Sequence, residues 1–205
     1  MIERQPATID VAEQQVYGPS VNGTSVRSPR KGARVGPVSE LSVFLKVKPG
    51  RELIIRETFN PTPAQRAAME KAIFDVGTLH QARYVLFDNG TRLLVATTFD
   101  GDWDVYIDDF AASYILDAWD RFLIHCEGYP DEGKASLTLE EIKEFLTTNQ
   151  VTAADFYMQY PGVTTKEVEK ALAVEQAFQQ VLDTPGAAEA LQHPALKPLL
   201  AMAAA

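Results

Sequence analysis

The chain has 205 residues, of which 46% are hydrophobic and 23% are charged, and its formal net charge is −9. This composition is ordinary for a globular domain and supplies enough apolar residues for a core without disulfide staples. The acidic balance argues against general binding to nucleic acid or to an anionic membrane, because both partners require a basic face.

The N-terminal segment, residues 1–38, is polar and rich in Gly, Pro and Ser, which predicts an extended arm. Within it lies a basic run without any acidic residue: Arg27, Arg30, Lys31 and Arg34. Two interpretations of this run stay open. The arm either lies on the surface of its own chain or extends to an acidic surface of a partner, such as a second copy.

Apolar residues recur with a period of two over Leu41–Val47, which predicts a half-buried strand. Residues 50–59 predict the start of a helix. The two prolines within residues 60–63 interrupt it, because proline lacks the amide hydrogen that a helix interior requires. Thr62 then predicts an N-cap for a second helix, and Gly77 predicts the end of that helix.

Two apolar runs, Tyr84–Phe87 and Leu93–Phe99, flank Asp88-Asn89-Gly90 and predict a β-hairpin with strands over residues 78–87 and 91–99. Asn-Gly favours a tight type I′ turn, because both central residues of that turn need a positive φ. Both strands are more apolar than strict alternation requires. We therefore expect one face of the sheet to be covered by helices and the other by the sheet of a second subunit.

After the hairpin, Asp100 or Asp102 is expected to cap a long amphipathic helix that runs from Trp103 to about His125. A shorter helix is predicted over residues 137–148. The aromatic run Asp155–Tyr160 predicts a fourth strand.

The order strand, helix, hairpin, helix, strand over residues 39–162 predicts an α+β domain with the ferredoxin-like split βαβ arrangement. This arrangement has a four-stranded antiparallel sheet with helices on one face. A helical extension is predicted for residues 163–205, and its first helix is expected to begin at Thr164 or Thr165 and to end near Asp183.

Three segments carry a resemblance to a known superfamily: SVFLKVKPG, GTLHQARYVLFDNGTRLLVATTFDGDWDVYIDDF and DFYMQYPG. In these segments the chain resembles the dimeric α+β barrel proteins. That superfamily includes small monooxygenases, EthD-like proteins, chlorite dismutases and dye-decolourising peroxidases. The resemblance covers residues 41–162 and implies a homodimer in which two sheets pack face to face.

Three residues are candidates for catalysis: His80, His125 and Tyr106. Haem-binding members of the superfamily use a proximal histidine as axial ligand, so the resemblance allows haem as a cofactor, with His80 or His125 as its ligand. A structural role stays open for each histidine, because neither lies in a haem-binding signature.

Arg83 and Arg92 flank the predicted hairpin turn and are expected to face each other across it. They would then clamp a carboxylate or phenolate ligand, since guanidinium groups match planar anions. The alternative is that they form exposed salt bridges with Asp88 or with the acidic residues that follow the hairpin.

Those acidic residues resemble the start of a calcium loop, because Asp100, Asp102 and Asp104 are spaced two apart. A calcium loop also needs a glycine at its sixth position and a glutamate at its twelfth, where this chain has Val105 and Ala111. We therefore predict helix capping and a solvated helix face here, and no metal site.

The single cysteine, Cys126, cannot form an internal disulfide, which favours a reducing compartment. The first ten residues lack the apolar core of a secretory signal, and no apolar run approaches the about twenty residues that a membrane span needs. These features predict a cytoplasmic protein that does not enter membranes.

Two functions remain open from the sequence. The first is a dimeric binding or assembly module without catalysis of its own. The alternative is an oxygenase or peroxidase of the barrel type, haem-dependent or cofactor-free, that acts on an aromatic or lipid-like substrate held between sheet and helix. Its working residues would come from His80, His125, Arg83, Arg92 and Tyr106.

Overall fold

The computed structural model describes residues 32–203, which form an α+β fold. The strands are β1 (Arg34–Val35), β2 (Val38–Lys46), β3 (Leu79–Phe87) and β4 (Arg92–Asp100). The helices are α1 (Glu52–Thr58), α2 (Pro63–Val76), α3 (Trp103–Ala111), α4 (Tyr114–Leu123), α5 (Leu139–Asn149), α6 (Thr165–Leu182), α7 (Ala187–Leu191) and α8 (Lys197–Ala203). None of these helices combines the length and hydrophobicity that a bilayer-spanning helix requires.

The four strands form one antiparallel sheet in the order β1-β2-β4-β3. β2 pairs with β4 along its whole length, from Val38 opposite Asp100 to Lys46 opposite Arg92. β3 and β4 form the predicted hairpin and place β3 at one edge of the sheet. The first long strand, β2, therefore pairs with the third, β4. The helices α1 and α2 form the crossover from β2 to β3.

The predicted tight turn of this hairpin is wrong in length. Phe87 pairs with Arg92, so four residues connect the strands instead of two. Asp88, Asn89 and Gly90 all have positive φ, at 49°, 58° and 87°. The loop is closed by the Thr91 amide, which donates to the Asp88 carbonyl at 3.2 Å. The Asn-Gly pair thus supplies the left-handed backbone, but within a longer loop.

The predicted fourth strand at Asp155–Tyr160 is also wrong, because this segment has no regular structure. Tyr157 and Tyr160 are 80% and 68% exposed, so their strand propensity has no packing to support it. The chain meets the edge of β2 earlier, in a single antiparallel bridge between Gln150 and Val43.

The buried carboxylate of Glu40 stops strand pairing at this edge of β2. Glu40 Oε1 accepts hydrogen bonds from the amides of Ala33 and Ala153, at 3.1 and 3.0 Å, and Glu40 Oε2 accepts one from Ser42. Glu40 is only 4% exposed. Its side chain therefore ties both flanking segments to β2 at a point where a strand would have continued the ladder.

The predicted long helix after the hairpin is two helices, α3 and α4, separated at Ala112 and Ser113. Ser113 Oγ caps α4 by accepting from the Ile115 amide at 3.1 Å, and it donates to the Phe110 carbonyl at 2.8 Å. Asp102 occupies the N-cap position of α3 without a side-chain capping bond, because its carboxylate pairs with Arg34.

Other helix boundaries follow the sequence signals. Thr62, Thr138 and Thr164 each form a capping box, with Gln65, Glu141 and Glu167 respectively. Gly77 ends α2 in the left-handed conformation, with φ at 62°. α6 ends at Leu182 with Asp183 as its C-cap, as predicted.

The predicted N-terminal arm lies mostly outside the described residues, together with Arg27, Arg30 and Lys31. Its last part is structured, because β1 pairs with the start of β2 as a short hairpin. Arg34 in β1 forms an ion pair with Asp102 at 2.5 Å. The end of the arm therefore contacts its own chain.

The core lies between one face of the sheet and the helices. Leu41, Val43, Val95 and Phe99 point from β2 and β4 into a cluster that contains the aromatic residues of α3 and α4. The opposite face, here called the outer face, carries five apolar residues that are half-buried or exposed: Phe44, Val85, Phe87, Leu94 and Ala96.

We expect hydrogen exchange to separate the observed edge contact from the predicted strand. The Val151 amide donates to the Ser42 carbonyl at 2.8 Å and should exchange slowly. The amides of residues 155–159 take part in no strand ladder and should exchange fast under the same conditions. Native-state exchange followed by NMR measures both, and protection throughout residues 155–160 would contradict this fold.

Candidate functional site

A cleft separates α2 from the edge strand β3. α2 packs mainly on α4 and only loosely on the sheet, and Ala72 is its single fully buried residue. The space left between α2, α4 and β3 has two parts, which we call the inner chamber and the outer chamber. Their volumes are about 340 and 310 Å³.

The two chambers share one wall, formed by Met69, Tyr84 and Trp119. Trp119 Nε1 donates a hydrogen bond to the Tyr84 hydroxyl at 2.8 Å, and the two rings meet edge to face at 6.3 Å. Burial raises the pKa of Tyr84 to about 12, so its hydroxyl stays neutral. This wall is aromatic, fixed in place and uncharged.

The inner chamber holds a buried hydroxyl that is poorly hydrogen-bonded. Thr97 is 3% exposed, and within residues 32–203 its Oγ1 makes no hydrogen bond of good geometry, although it lies close enough to the Tyr106 hydroxyl to interact with it. Tyr106, which lines the same chamber, is stacked on Phe99 at 3.8 Å. Burial raises the pKa of Tyr106, and the neighbouring Thr97 hydroxyl partly opposes that rise. The polar end of the inner chamber therefore consists of neutral hydroxyls.

A β-bulge brings His80 to the inner chamber. Leu79 lies opposite Phe99 and Gln81 opposite Thr98, so His80 is the extra residue of β3. His80 Nε2 lies 2.7 Å from Asp100 Oδ1. Because a carboxylate can only accept, Nε2 carries the hydrogen and Nδ1 is left for a ligand.

The same carboxylate also anchors α6. Asp100 Oδ2 accepts from the Thr165 amide at 2.8 Å and from the Thr165 hydroxyl at 2.7 Å. Asp100 therefore orients His80 with one oxygen and holds the start of the C-terminal helices with the other.

His125 lies away from both chambers, so the structure does not join it with His80 and Tyr106. Its Nδ1 is 3.2 Å from Arg51 Nη1, and the residue is 6% exposed. Burial, reinforced by the positive charges of Arg51 and Lys48, lowers the pKa of His125. Burial likewise raises the pKa of Cys126 to about 12, which leaves its thiol unreactive.

The region around His125 has a structural role, because it closes the end of β2. Val47 and Cys126 form an antiparallel bridge. The ammonium group of Lys48 donates to the carbonyls of Ile124 and Tyr129, at 2.9 and 2.8 Å, and to Asp131 at 2.7 Å.

The structure does not bring Arg83 and Arg92 together. Both lie on the outer face, but Arg83 is opposite Ala96 and Arg92 is opposite Phe87, four positions further along β3. That separation is about 13 Å along the strand. Arg92 instead lies over the Phe87 ring at 4.8 Å and pairs with Asp88 at 3.5 Å.

Two other arginines line the outer chamber, and the sequence argument missed them. Arg66 projects from α2 and Arg121 from α4. A signal for Arg121 was present, because it continues the apolar stripe of the predicted long helix at helical spacing. Arg66 carried no comparable signal, because contact with α4 decides which side of α2 faces the cleft.

The acidic residues after the hairpin have structural partners. Lys143 is buried and pairs with Asp104 at 3.2 Å and with Asp108 at 2.5 Å, which joins α5 to α3. Asp100 and Asp102 are engaged by His80 and Arg34. Within residues 32–203, no group of three or more His, Cys, Asp or Glu side chains is arranged to hold a metal ion.

The histidines present do not fit a haem. His125 faces Arg51 and lines neither chamber. His80 has its Nε2 occupied by Asp100, which leaves only Nδ1. That nitrogen is adjacent to the ring carbon that carries Cβ, which is a crowded position for a macrocycle.

We expect the stability of the protein to fall as the pH drops below 6.5, the ordinary pKa of histidine. The pKa of His125 is lowered in the folded state, so below that pH the unfolded chain binds a proton that the folded chain does not, and unfolding becomes easier. Chemical denaturation between pH 5 and pH 7, chosen to bracket that value, measures the slope. Replacing His125 by Gln should flatten it, and an unchanged slope in His125→Gln would contradict this assignment.

Comparison of the chain with protein-family models, with curated proteins and with solved structures gave no match in any of the three. A fold alone does not specify a function, so the geometry of the two chambers is the feature from which we infer one.

Proposed function

We propose that this protein binds a small, largely apolar molecule of aromatic or lipid-like character in the cleft between β3, α2 and α4, and that it has no catalysis of its own. The observation that carries this proposal is the Thr97 hydroxyl. This buried hydroxyl makes no hydrogen bond of good geometry within residues 32–203 and interacts only with the Tyr106 hydroxyl, so a ligand atom in the inner chamber would supply a better partner.

The chambers have the character of a ligand site. Each lies within the size range of about 300–1,000 Å³ that is usual for small-molecule pockets. Their common wall offers the faces of Tyr84 and Trp119, which favour flat or aliphatic groups. The inner end offers the hydroxyls of Thr97 and Tyr106, which suit an oxygen atom of the ligand.

We infer that the chain has a ferredoxin-like architecture. β2, β4 and β3 are paired in the order of a split βαβ unit, with α1 and α2 as the first crossover and α3 and α4 after the hairpin. The bridge at Gln150 takes the place of a fourth long strand. These features agree with the resemblance to the dimeric α+β barrel proteins and support our placing the chain near them.

We further propose that the protein is a homodimer formed through the outer face. Phe44 and Phe87 pack edge to face there at 6.5 Å, and Val85 is 42% exposed. A contiguous apolar surface on a sheet is unusual in a monomer, and a second copy would cover it symmetrically.

A second function is favoured by one observation, the hydrogen bond between His80 and Asp100. A histidine oriented by a carboxylate at the edge of a pocket can accept a proton from a bound molecule, as a cofactor-free oxygenase requires. Protein-dependent oxygen uptake with an aromatic alcohol such as naphthol would favour this enzyme over a binding protein.

Replacing Thr97 by Val should weaken binding of naphthol about tenfold, because one hydrogen bond of about 1.4 kcal/mol is lost. Stability should change little, because the variant removes a buried hydroxyl that makes no hydrogen bond of good geometry within residues 32–203. Calorimetric titration and chemical denaturation measure the two effects. Thr148→Val, at an exposed site on α5, is the matched control, and equal affinities for both variants would count against the site.

Replacing Val85 by Lys should convert the dimer into a monomer, because it places a charge in the apolar outer face. Leu53→Lys is the control, since Leu53 is 77% exposed on α1 and lies on another surface. Sedimentation at micromolar concentration measures both. A wild-type protein that sediments as a monomer would refute the dimer without affecting the ligand proposal.

A further inference from the structure

The outer chamber contains two arginines without ion-pair partners. Arg66 and Arg121 both line it, and neither forms a salt bridge with any residue in the described part of the chain. By contrast, Arg34, Arg51 and Arg92 each lie within 4 Å of an aspartate. The outer chamber is therefore a locally positive site in a chain whose net charge is −9.

The two arginines come from helices that pack against each other. Arg66 lies one helical turn before Met69 and Glu70 on α2, and all three line the outer chamber. Arg121 lies one turn after Ala118 on α4, which also lines it. The contact between α2 and α4 thus places both arginines in the lining of one chamber.

One acidic residue, Glu70, also lines the outer chamber. No ion pair joins Glu70 to Arg66 or to Arg121, so it lowers the positive charge of the opening without neutralising it. The rest of the lining is mainly apolar and aromatic, including Phe59 and Phe122. A small hydrated anion would gain little binding free energy from such a surface. An anion attached to an apolar body would contact both the arginines and the apolar lining.

We propose that the ligand is an amphipathic organic acid. Its carboxylate lies at Arg66 and Arg121, its apolar body packs along Tyr84 and Trp119, and its apolar end points toward the inner chamber. This inference rests on the proposed function and adds the class of ligand to it. A guanidinium group binds a carboxylate through two parallel hydrogen bonds, which gives the ligand a defined direction in the cleft.

The exposure of the two arginines agrees with this direction. Arg66 is exposed and Arg121 is half-buried, so the outer chamber opens to water where the carboxylate would lie. Thr97 and Tyr106 are almost fully buried at the other end. The acid therefore keeps its charged group near solvent, where the cost of removing it from water is small.

The test compares three probes of one ring system: naphthol, naphthoic acid and naphthyl phosphate. Naphthoic acid should bind the wild-type protein about tenfold more tightly than naphthol, because charge-assisted hydrogen bonds exceed neutral ones by about that factor. Its affinity should also fall with added salt, while that of naphthol should not. Equal affinities for naphthoic acid and naphthol would overturn the proposal.

Single variants locate the carboxylate. Arg66→Gln and Arg121→Gln should each weaken naphthoic acid about tenfold and leave naphthol nearly unchanged. Glu70→Gln should tighten naphthoic acid about twofold, because it removes a like charge from the opening. The matched control is Arg83→Gln, which removes an exposed arginine from the outer face and should change neither affinity.

The outcomes separate this inference from the proposed function. If neither naphthol nor naphthoic acid binds, the proposed function fails and this inference fails with it. If both bind but Arg66→Gln and Arg121→Gln have no effect, the binding function stands and the acid assignment is wrong. If naphthyl phosphate binds more tightly than naphthoic acid, the site prefers a phosphate and the carboxylate assignment is wrong.

Discussion

The hydrogen bond from Trp119 to Tyr84 fixes the geometry on which the candidate site depends. It ties α4 to the edge strand β3 across the layer between helices and sheet. Because α2 packs on α4, the position of α4 also sets the distance between α2 and β3. The cleft lies between these elements, and the two bonded rings line both of its chambers.

The two chambers differ in their electrostatics, and this difference has a structural cause. The inner chamber lies under the sheet and is lined by Tyr84 and Tyr106, whose pKa values are raised by burial. The outer chamber lies between two helices nearer the surface and is lined by Arg66 and Arg121. The orientation that we propose for the ligand follows from this difference. His80 lies at the inner chamber, held there by a carboxylate that also anchors α6.

Along one edge of the sheet, β2 is covered by several short contacts instead of a full neighbouring strand. β1 covers its start, Gln150 bridges its middle, and Cys126 bridges the chain just after its end. Buried Glu40 and the ammonium group of Lys48 hold these pieces through hydrogen bonds to backbone groups. Short contacts of this kind protect this edge of the sheet from pairing with other chains.

Local sequence patterns were sufficient for the elements whose signals lie within a few residues: the β2 strand, the hairpin, the cap at Thr62 and the stop at Gly77. The sequence placed His80 and Tyr106 among the candidate residues, but it could not separate them from His125. Only the packing of the layers placed Arg66 and Arg121, rather than Arg83 and Arg92, in the lining of one pocket. The physical reason is that caps and turns are set by neighbouring residues, whereas a pocket is set by how far apart packed layers stand, which no local pattern encodes.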